Sequence, residues 1–376
     1  MQSLILPLPE SAGPKDGERI LSDLGEVRGV DVHLVLDFSN CKRVQAGAAW
    51  RISNAIRRFA SPSIVEAIIP IAATPLDNSE FWAANFLRTG LGYGLSTYAT
   101  IIRTASEDLT DEVRKSCSQY LEYQVPEAIT VYQLHEGAKI NPNDFDSFLA
   151  KFQSWLPVVR VTPRLFSRAQ ERNLALLCFE AIQNVWDHAK KKPFPPDQSL
   201  VSSFSMRFVS QSAQIGEASR YFDSYLEGLS AVFHGDVQRP IGFLEILVAD
   251  AGVGLAARHS QDPQIYWRKI EVEDGVTLDA IRDGSSVKVR TKDTTIRGEP
   301  GYGFTYIIDS VRALHGYAAL RTGRRLGVFN STLDVKSFLL LQDEYGYMPG
   351  TVFLVVLPII PKPSRSRRTT NADHIR

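Results

Sequence analysis

Between Leu174 and Ala189, apolar residues recur at helical spacing: Leu174, Leu177, Cys178, Ala181, Val185 and Ala189 make one stripe of a helix predicted over 166–190. Beside the stripe run Glu180, Asn184, Asp187 and His188. A polar row at the margin of a buried face is ordinarily a solvated edge, yet groups of this chemistry on one side also suit a binding site. The same reading elsewhere gives a buried strand at "VHLVLD", a helix through Trp50, Ile52, Ile56 and Phe59, a second strand at "IVEAIIP", and a further helix and strand ending near Thr104. Past Pro163 the pattern runs helix, strand at "SFSMRFV", an insertion with the amphipathic "ASRYFDSYLEGLSAVF", and a strong strand "FLEILVAD". A helix "TYIIDSVRAL" and closing strands around "FNSTLDVKSFLLL" and "GTVFLVVLP" follow. Strands and helices in this order predict an α/β fold with helices laid on sheets.

These elements divide the chain into a small α/β unit over 1–104, a mainly helical connector over 105–156, a larger α/β sandwich over 157–360, and a basic tail over 361–376 expected to be disordered. A length of 376 residues with 44% hydrophobic positions supports two cores of this size. Lysine plus arginine (42) balance aspartate plus glutamate (42), so no overall field selects nucleic acid or an anionic membrane. Cys41, Cys117 and Cys178 are odd in number and scattered, which argues for free thiols in a reducing compartment. The start "MQSLILPLPES" lacks a basic region and breaks its apolar run at Pro7 and Pro9, unlike a secretory signal. The apolar run "TVFLVVLPII" is too short to cross a bilayer as a helix. A cytoplasmic protein is expected.

Two further motifs bear on the polar row. The strand "FLEILVAD" runs into "DAGVGL", so Asp250 falls where a buried strand emerges, with Gly252 and Gly254 allowing sharp turns and close approach to a ligand. An Asp-Gly turn at a strand end has the same look without any ligand. In "GEPGYGFTYIIDSVRALHG", Gly298, Gly301 and Gly303 stand directly before a helix, where bare amides form an anion site.

In this order, the acid-plus-asparagine helix, the Asp-x-Gly-x-Gly strand end, the Gly-x-Gly helix start and the final "GT" strand resemble the GHKL superfamily of ATP-binding domains found in gyrase, heat-shock chaperones and histidine kinases. "EAIQNVWDHA" with "GVGL" is most similar to the serine kinases that act as anti-sigma factors. The resemblance implies a Bergerat-type α/β sandwich with a mixed sheet that binds ATP and Mg2+. Residue by residue it implies Asn184 as the magnesium ligand, Glu180 as the general base, and Asp250 as acceptor for the adenine amino group, supported by Thr351. Gly252 and Gly254 would form the first glycine box and Gly301 and Gly303 the triphosphate-facing one, with Asp187 and His188 beside the nucleotide and a lid between Leu255 and Gly298. Glu299 stands where the family has the first glycine of that second box.

The stretch "VLDFSNCKRVQAGAAW" resembles the STAS domain of anti-sigma-factor antagonists, with "FWAANFLRTGLGYGLSTYAT" similar to the end of that fold. The family's phosphate-accepting serine would fall near Ala46 or Gly47, so docking rather than phosphorylation is implied, with Ser39 and Ser53 as remaining hydroxyls. "RTGLGYGLS" lacks the Gly-Lys-Ser/Thr of a phosphate loop and reads as turns, and His135 in "QLHEGAK" reads as a surface histidine. Two functions follow from the resemblance. One is a magnesium-dependent ATPase or serine/threonine protein kinase acting as a cytosolic regulator. The other is an ATP-gated switch with little turnover that signals to a partner protein or a second copy of itself, as stress signalling or phage defence would use.

Overall fold

The computed structural model describes residues 2–26, 32–59, 64–70, 91–118, 122–125, 127–132, 134, 144–161, 165–188, 202–210, 220–233, 239–282, 303–341 and 345–361. In chain order the elements begin β1 (Gln2–Pro7), β2 (Ser11–Ala12), α1 (Pro14–Glu26), β3 (Val32–Asp37), β4 (Arg43–Val44) and α2 (Ala46–Phe59). They continue with β5 (Ile64–Ile68), α3 (Leu91–Tyr98), β6 (Ile101–Arg103) and α4 (Thr110–Ser118). β1, β3, β5 and β6 form a four-stranded sheet in that order, parallel at every pairing. Leu34 and Leu36 point into a core shared with Ile20, Leu24, Ile52 and Ile56, so the period-2 strand and the period-3.6 helices bury one common face. Gly92 and Gly94, read as turns in "RTGLGYGLS", instead lie in the first turn of α3. A Cβ on Gly94 would lie 2.2 Å from Ser53 Oγ, so this glycine lets α3 close on α2.

The chain continues with β7 (Glu122–Val125), β8 (Ala128–Tyr132), α5 (Phe145–Trp155), α6 (Arg168–His188), β9 (Ser202–Val209), α7 (Arg220–Val232), β10 (Gly242–Asp250) and α8 (Leu255–Ser260). After a 3-10 turn (Ile265–Trp267) come α9 (Ile270–Ile281), α10 (Gly303–Ala313), β11 (Tyr317–Gly323), β12 (Arg325–Asn330), β13 (Leu339–Leu340) and β14 (Met348–Ile359). Eight strands form one sheet in the order β13-β12-β11-β14-β10-β9-β8-β7. The connector segment therefore supplies, besides α4 and α5, a hairpin that extends the C-terminal sheet beyond β9. Each pairing in this sheet is antiparallel, where a mixed sheet was expected. Hydrophobic alternation fixes which face of a strand is buried but carries no information on strand direction, which the connections decide.

Alternation along β10 divides its side chains between two cores. Leu244, Ile246 and Val248 join α6 through Leu174, Leu177 and Cys178, together with Trp155 of α5 and Ile307 of α10. Leu247 and Ala249 face the other way, into the core that contains Ile52 and Ile56 of α2 and Phe222 and Tyr225 of α7. The sheet is thus covered on both faces, and α2 lies against β10 and β14. The amphipathic insertion helix α7 is a packing element, its Phe222 meeting Tyr317 edge to face at 5.3 Å. Glu18 of α1 bridges the two halves: it accepts from Arg51 Nε of α2 and from Arg321 Nε of β11, each at 2.8 Å. Burial pushes the Glu18 carboxyl up, but the two guanidinium groups outweigh it and hold the pKa down at about 2. Among the described residues no helix is long and apolar enough to cross a membrane.

Candidate functional site

The polar row on α6 reaches a second helix start. Glu180 is buried and Asn184 half-buried, one turn apart on the side that meets α10. A Cβ built on Gly303, the first residue of α10, would stand 3.3 Å from Glu180 Oε2 and 3.6 Å from Asn184 Oδ1. Even the smallest side chain at Gly303 would therefore crowd Glu180 and touch Asn184. Asp187 and His188 occupy the last turn of α6, and their side chains lie outside the described residues, as does Gly301.

Asp250 and Thr351 meet at the other end of the site. They are direct partners in the β10–β14 register, and Thr322 of β11 is the next residue across. Asp250 Oδ1 accepts the Gly252 amide at 2.8 Å, and the Thr351 hydroxyl also hydrogen-bonds the carboxylate. Burial raises the Asp250 pKa to about 7, against the pull of the Gly252 amide, Arg57 and Thr351. A carboxyl poised at neutrality in a closed strand end is a group whose hydrogen-bonding role changes with its proton. Gly350 stands just before Thr351 at φ +81°, and a Cβ there would fall 1.9 Å from the Asp250 carbonyl oxygen. Only glycine lets these two strand ends approach so closely.

A pocket runs from Asn184 of the first cluster to Asp250 and Thr351 of the second. Asn184, Asp250, Thr351 and Gly254 line it together with apolar Ala181, Val185, Val248, Val253, Ile307, Leu320 and Phe353, and Arg258 of α8 contributes a cation. Apolar walls with a few convergent polar groups are the usual make-up of a small-molecule site. Gly254 caps α8 at φ +81°, and the Leu255 amide donates to Thr322 Oγ1 at 2.9 Å, which ties the helix to the same strand row. The sequence motifs did not mark Arg258, Phe353 or Leu320. Strand alternation places Phe353 on the face of Val355 and Leu357, but nothing local in "GLAARHS" announces that Arg258 faces a pocket.

The segment expected as a lid from Leu255 is, through Ile281, a packed helical unit. Fully buried Glu273 accepts from both the Arg324 amide and Arg324 Nε at 2.8 Å, and Asp274 pairs with Arg325. His259 and Asp279 tie α8 to α9 at 2.7 Å. These contacts anchor the segment on the β11–β12 turn. The remainder of the expected lid, from 283 to Gly298, lies outside the described residues, as does Glu299.

Among the described residues no group of three or more His, Cys, Asp or Glu converges as a metal site. The chemistry of the Asn184 amide oxygen beside the Glu180 carboxylate nevertheless fits Mg2+, which takes oxygen ligands, retains waters and is commonly held by one or two protein groups plus phosphate oxygens. No protein-family model, curated protein or solved structure matches the chain.

Proposed function

We propose that the C-terminal unit is a magnesium-dependent ATP-binding domain of the GHKL type, working as an ATPase or a serine/threonine protein kinase, and that the N-terminal unit is STAS-like and serves docking. The observation that carries this reading is the apposition of Glu180 and Asn184 to the glycine start of α10, at the rim of an apolar pocket floored by Asp250 and Thr351. In this reading the purine lies between Val248, Val253, Ile307 and Phe353, and its exocyclic amine donates to ionised Asp250. Thr351 holds that carboxylate. The phosphates lie toward Gly303, where α10 amides and the helix dipole favour negative charge. Asn184 would hold Mg2+, which when bound neutralises phosphate charge. Glu180 would accept the proton of the attacking water or hydroxyl.

The N-terminal unit supports the docking role. Ala46 and Gly47 begin α2 where the STAS serine is expected. Ser53 is buried with its hydroxyl on the Ala49 carbonyl at 2.8 Å, and Ser39 alone of the two remaining hydroxyls is exposed. The reading of an ATP-gated switch gains from the contact of α2 with β10 and β14, the strands that end in Asp250 and lead in through Thr351.

The test uses the purified chain with magnesium and γ-labelled ATP, following free phosphate and label retained on protein. Free phosphate that disappears in Glu180→Ala identifies an ATPase, and retained label a kinase. Binding without turnover identifies the switch. Absence of ATP binding, with or without magnesium, refutes the proposal.

A further inference from the structure

Two side chains of α2 cross from the N-terminal unit to the floor of the pocket. Arg57 Nη1 donates to the Ala251 carbonyl at 2.8 Å, and Asn54 Nδ2 donates to the Pro349 carbonyl at 2.7 Å. Ala251 directly follows Asp250, and Pro349 stands two residues before Thr351, so both donors grip the strand ends that present the pocket's polar floor. Glycine at Gly350 closes those ends on each other, which leaves the floor little independent freedom. Asn54 is itself buried and α2 is packed on the sheet, so the donors are held by a rigid element rather than by a loop.

We propose that Arg57 is a positioning residue of this pocket, so that the N-terminal unit forms part of the ligand site: its guanidinium fixes the Asp250–Ala251 strand end and keeps Asp250 in the form that accepts a hydrogen bond from a purine amine. The inference rests on the adenine reading of the pocket and goes beyond it by assigning control of purine selectivity to the other unit. Burial raises Asp250, and Arg57 is a positive charge that opposes the rise. The groups around the Asp250 carboxylate are the Gly252 amide, the Thr351 hydroxyl of β14, Ser202 of β9 opposite it in register, and Asn184 and Arg258 elsewhere in the pocket. Without Arg57 the strand end loses its charged donor and Asp250 holds its proton to higher pH. A protonated carboxyl donates as well as accepts, and the preference for an amine over a carbonyl at that edge falls.

The test compares the full-length chain with Arg57→Ala and Arg57→Lys in equilibrium binding of magnesium ATP and magnesium ITP, which differ in the amine and carbonyl at that edge, as a function of pH. The parent is expected to favour ATP, with affinity rising through a midpoint near 7. Arg57→Ala should weaken ATP about tenfold at neutral pH, the size of one hydrogen bond from a charged group, lower the ATP-to-ITP ratio and move the midpoint upward. Arg57→Lys should restore the midpoint. A purely structural weakening would lower both affinities and leave midpoint and ratio in place, and that result overturns the proposal. Thermal unfolding without nucleotide keeps the two readings distinguishable. There, Arg57→Ala should deepen the loss of stability with rising pH in the parent and not in Asp250→Asn. Failure of the parent to bind either nucleotide, with this coupling present, refutes the adenine reading and keeps Arg57 as the group that sets Asp250. Absence of the coupling overturns the Arg57 assignment by itself.

Discussion

Replacing Asp250 by asparagine removes one ionisable group from a buried strand end while keeping its shape. In the folded chain burial holds this carboxyl at about 7, against an ordinary 3.8. The folded state therefore keeps a proton that the unfolded chain has released, and stability falls as pH rises between those two values. Below 3.8 both states are protonated and the penalty is absent, whereas above 7 it is fully present. At about 1.36 kcal/mol per pKa unit, the penalty reaches on the order of 4 kcal/mol. Asparagine does not ionise, and its Oδ1 can still accept from the Gly252 amide at the 2.8 Å position. Its amide, lacking the second acceptor oxygen, costs about 1 kcal/mol in a site built for acceptors. Asp250→Asn should therefore be about 3 kcal/mol more stable than the parent above neutrality and about 1 kcal/mol less stable in acid. The two stability curves should cross. Denaturant unfolding of both proteins at a series of pH values measures this, and a gap that stays constant across the series would refute the assignment of a buried, neutral-pH carboxyl. The same variant should lose most of its preference for ATP over ITP, so a gain in stability would accompany a loss of selectivity.

Glu18→Gln should cost about 3 kcal/mol, because it leaves the buried Arg51 and Arg321 guanidinium groups facing a neutral amide; chemical denaturation reads this directly. In the parent, the Glu18 contribution is present above the ordinary carboxylate range and is lost as pH falls toward 2, so Glu18→Gln should flatten the acid limb of the stability curve. Gly350→Ala sets a Cβ against the Asp250 carbonyl at a positive φ and should destabilise by about 3 kcal/mol or more, seen as a lower melting temperature together with weaker nucleotide binding. Gly303→Val should leave the fold melting within a few degrees of the parent but abolish phosphate release, because the added branches enter the space in front of Glu180 and Asn184. Asn184→Ala should remove the magnesium dependence of ATP binding, measured by titration with and without the metal; unchanged dependence would take Asn184 out of the metal site.

The amino-acid sequence by itself determined where the buried faces lie. The helical stripe from Leu174 to Val185 and the largely apolar run of β10, interrupted by Glu245, are local consequences of side-chain period, and both elements form where the pattern puts them. It also marked Glu180, Asn184 and Asp250, because polar groups at the border of an apolar stripe or at the end of a buried strand stand out against their neighbours, whereas Thr351 entered only through the family resemblance. Tertiary structure alone decided what these residues meet. Strand β11 went unmarked, since "YAALRTG" mixes small and charged residues, and its buried Arg321 finds its carboxylate partner in Glu18 from the other end of the chain. The antiparallel direction of the large sheet, the β7–β8 hairpin on its edge and the seating of α2 beneath Asp250 all depend on contacts between distant segments, which periodicity does not encode. Arg57 reads as one more surface charge on an amphipathic helix, and only the packing of that helix on β10 and β14 sets it against Ala251.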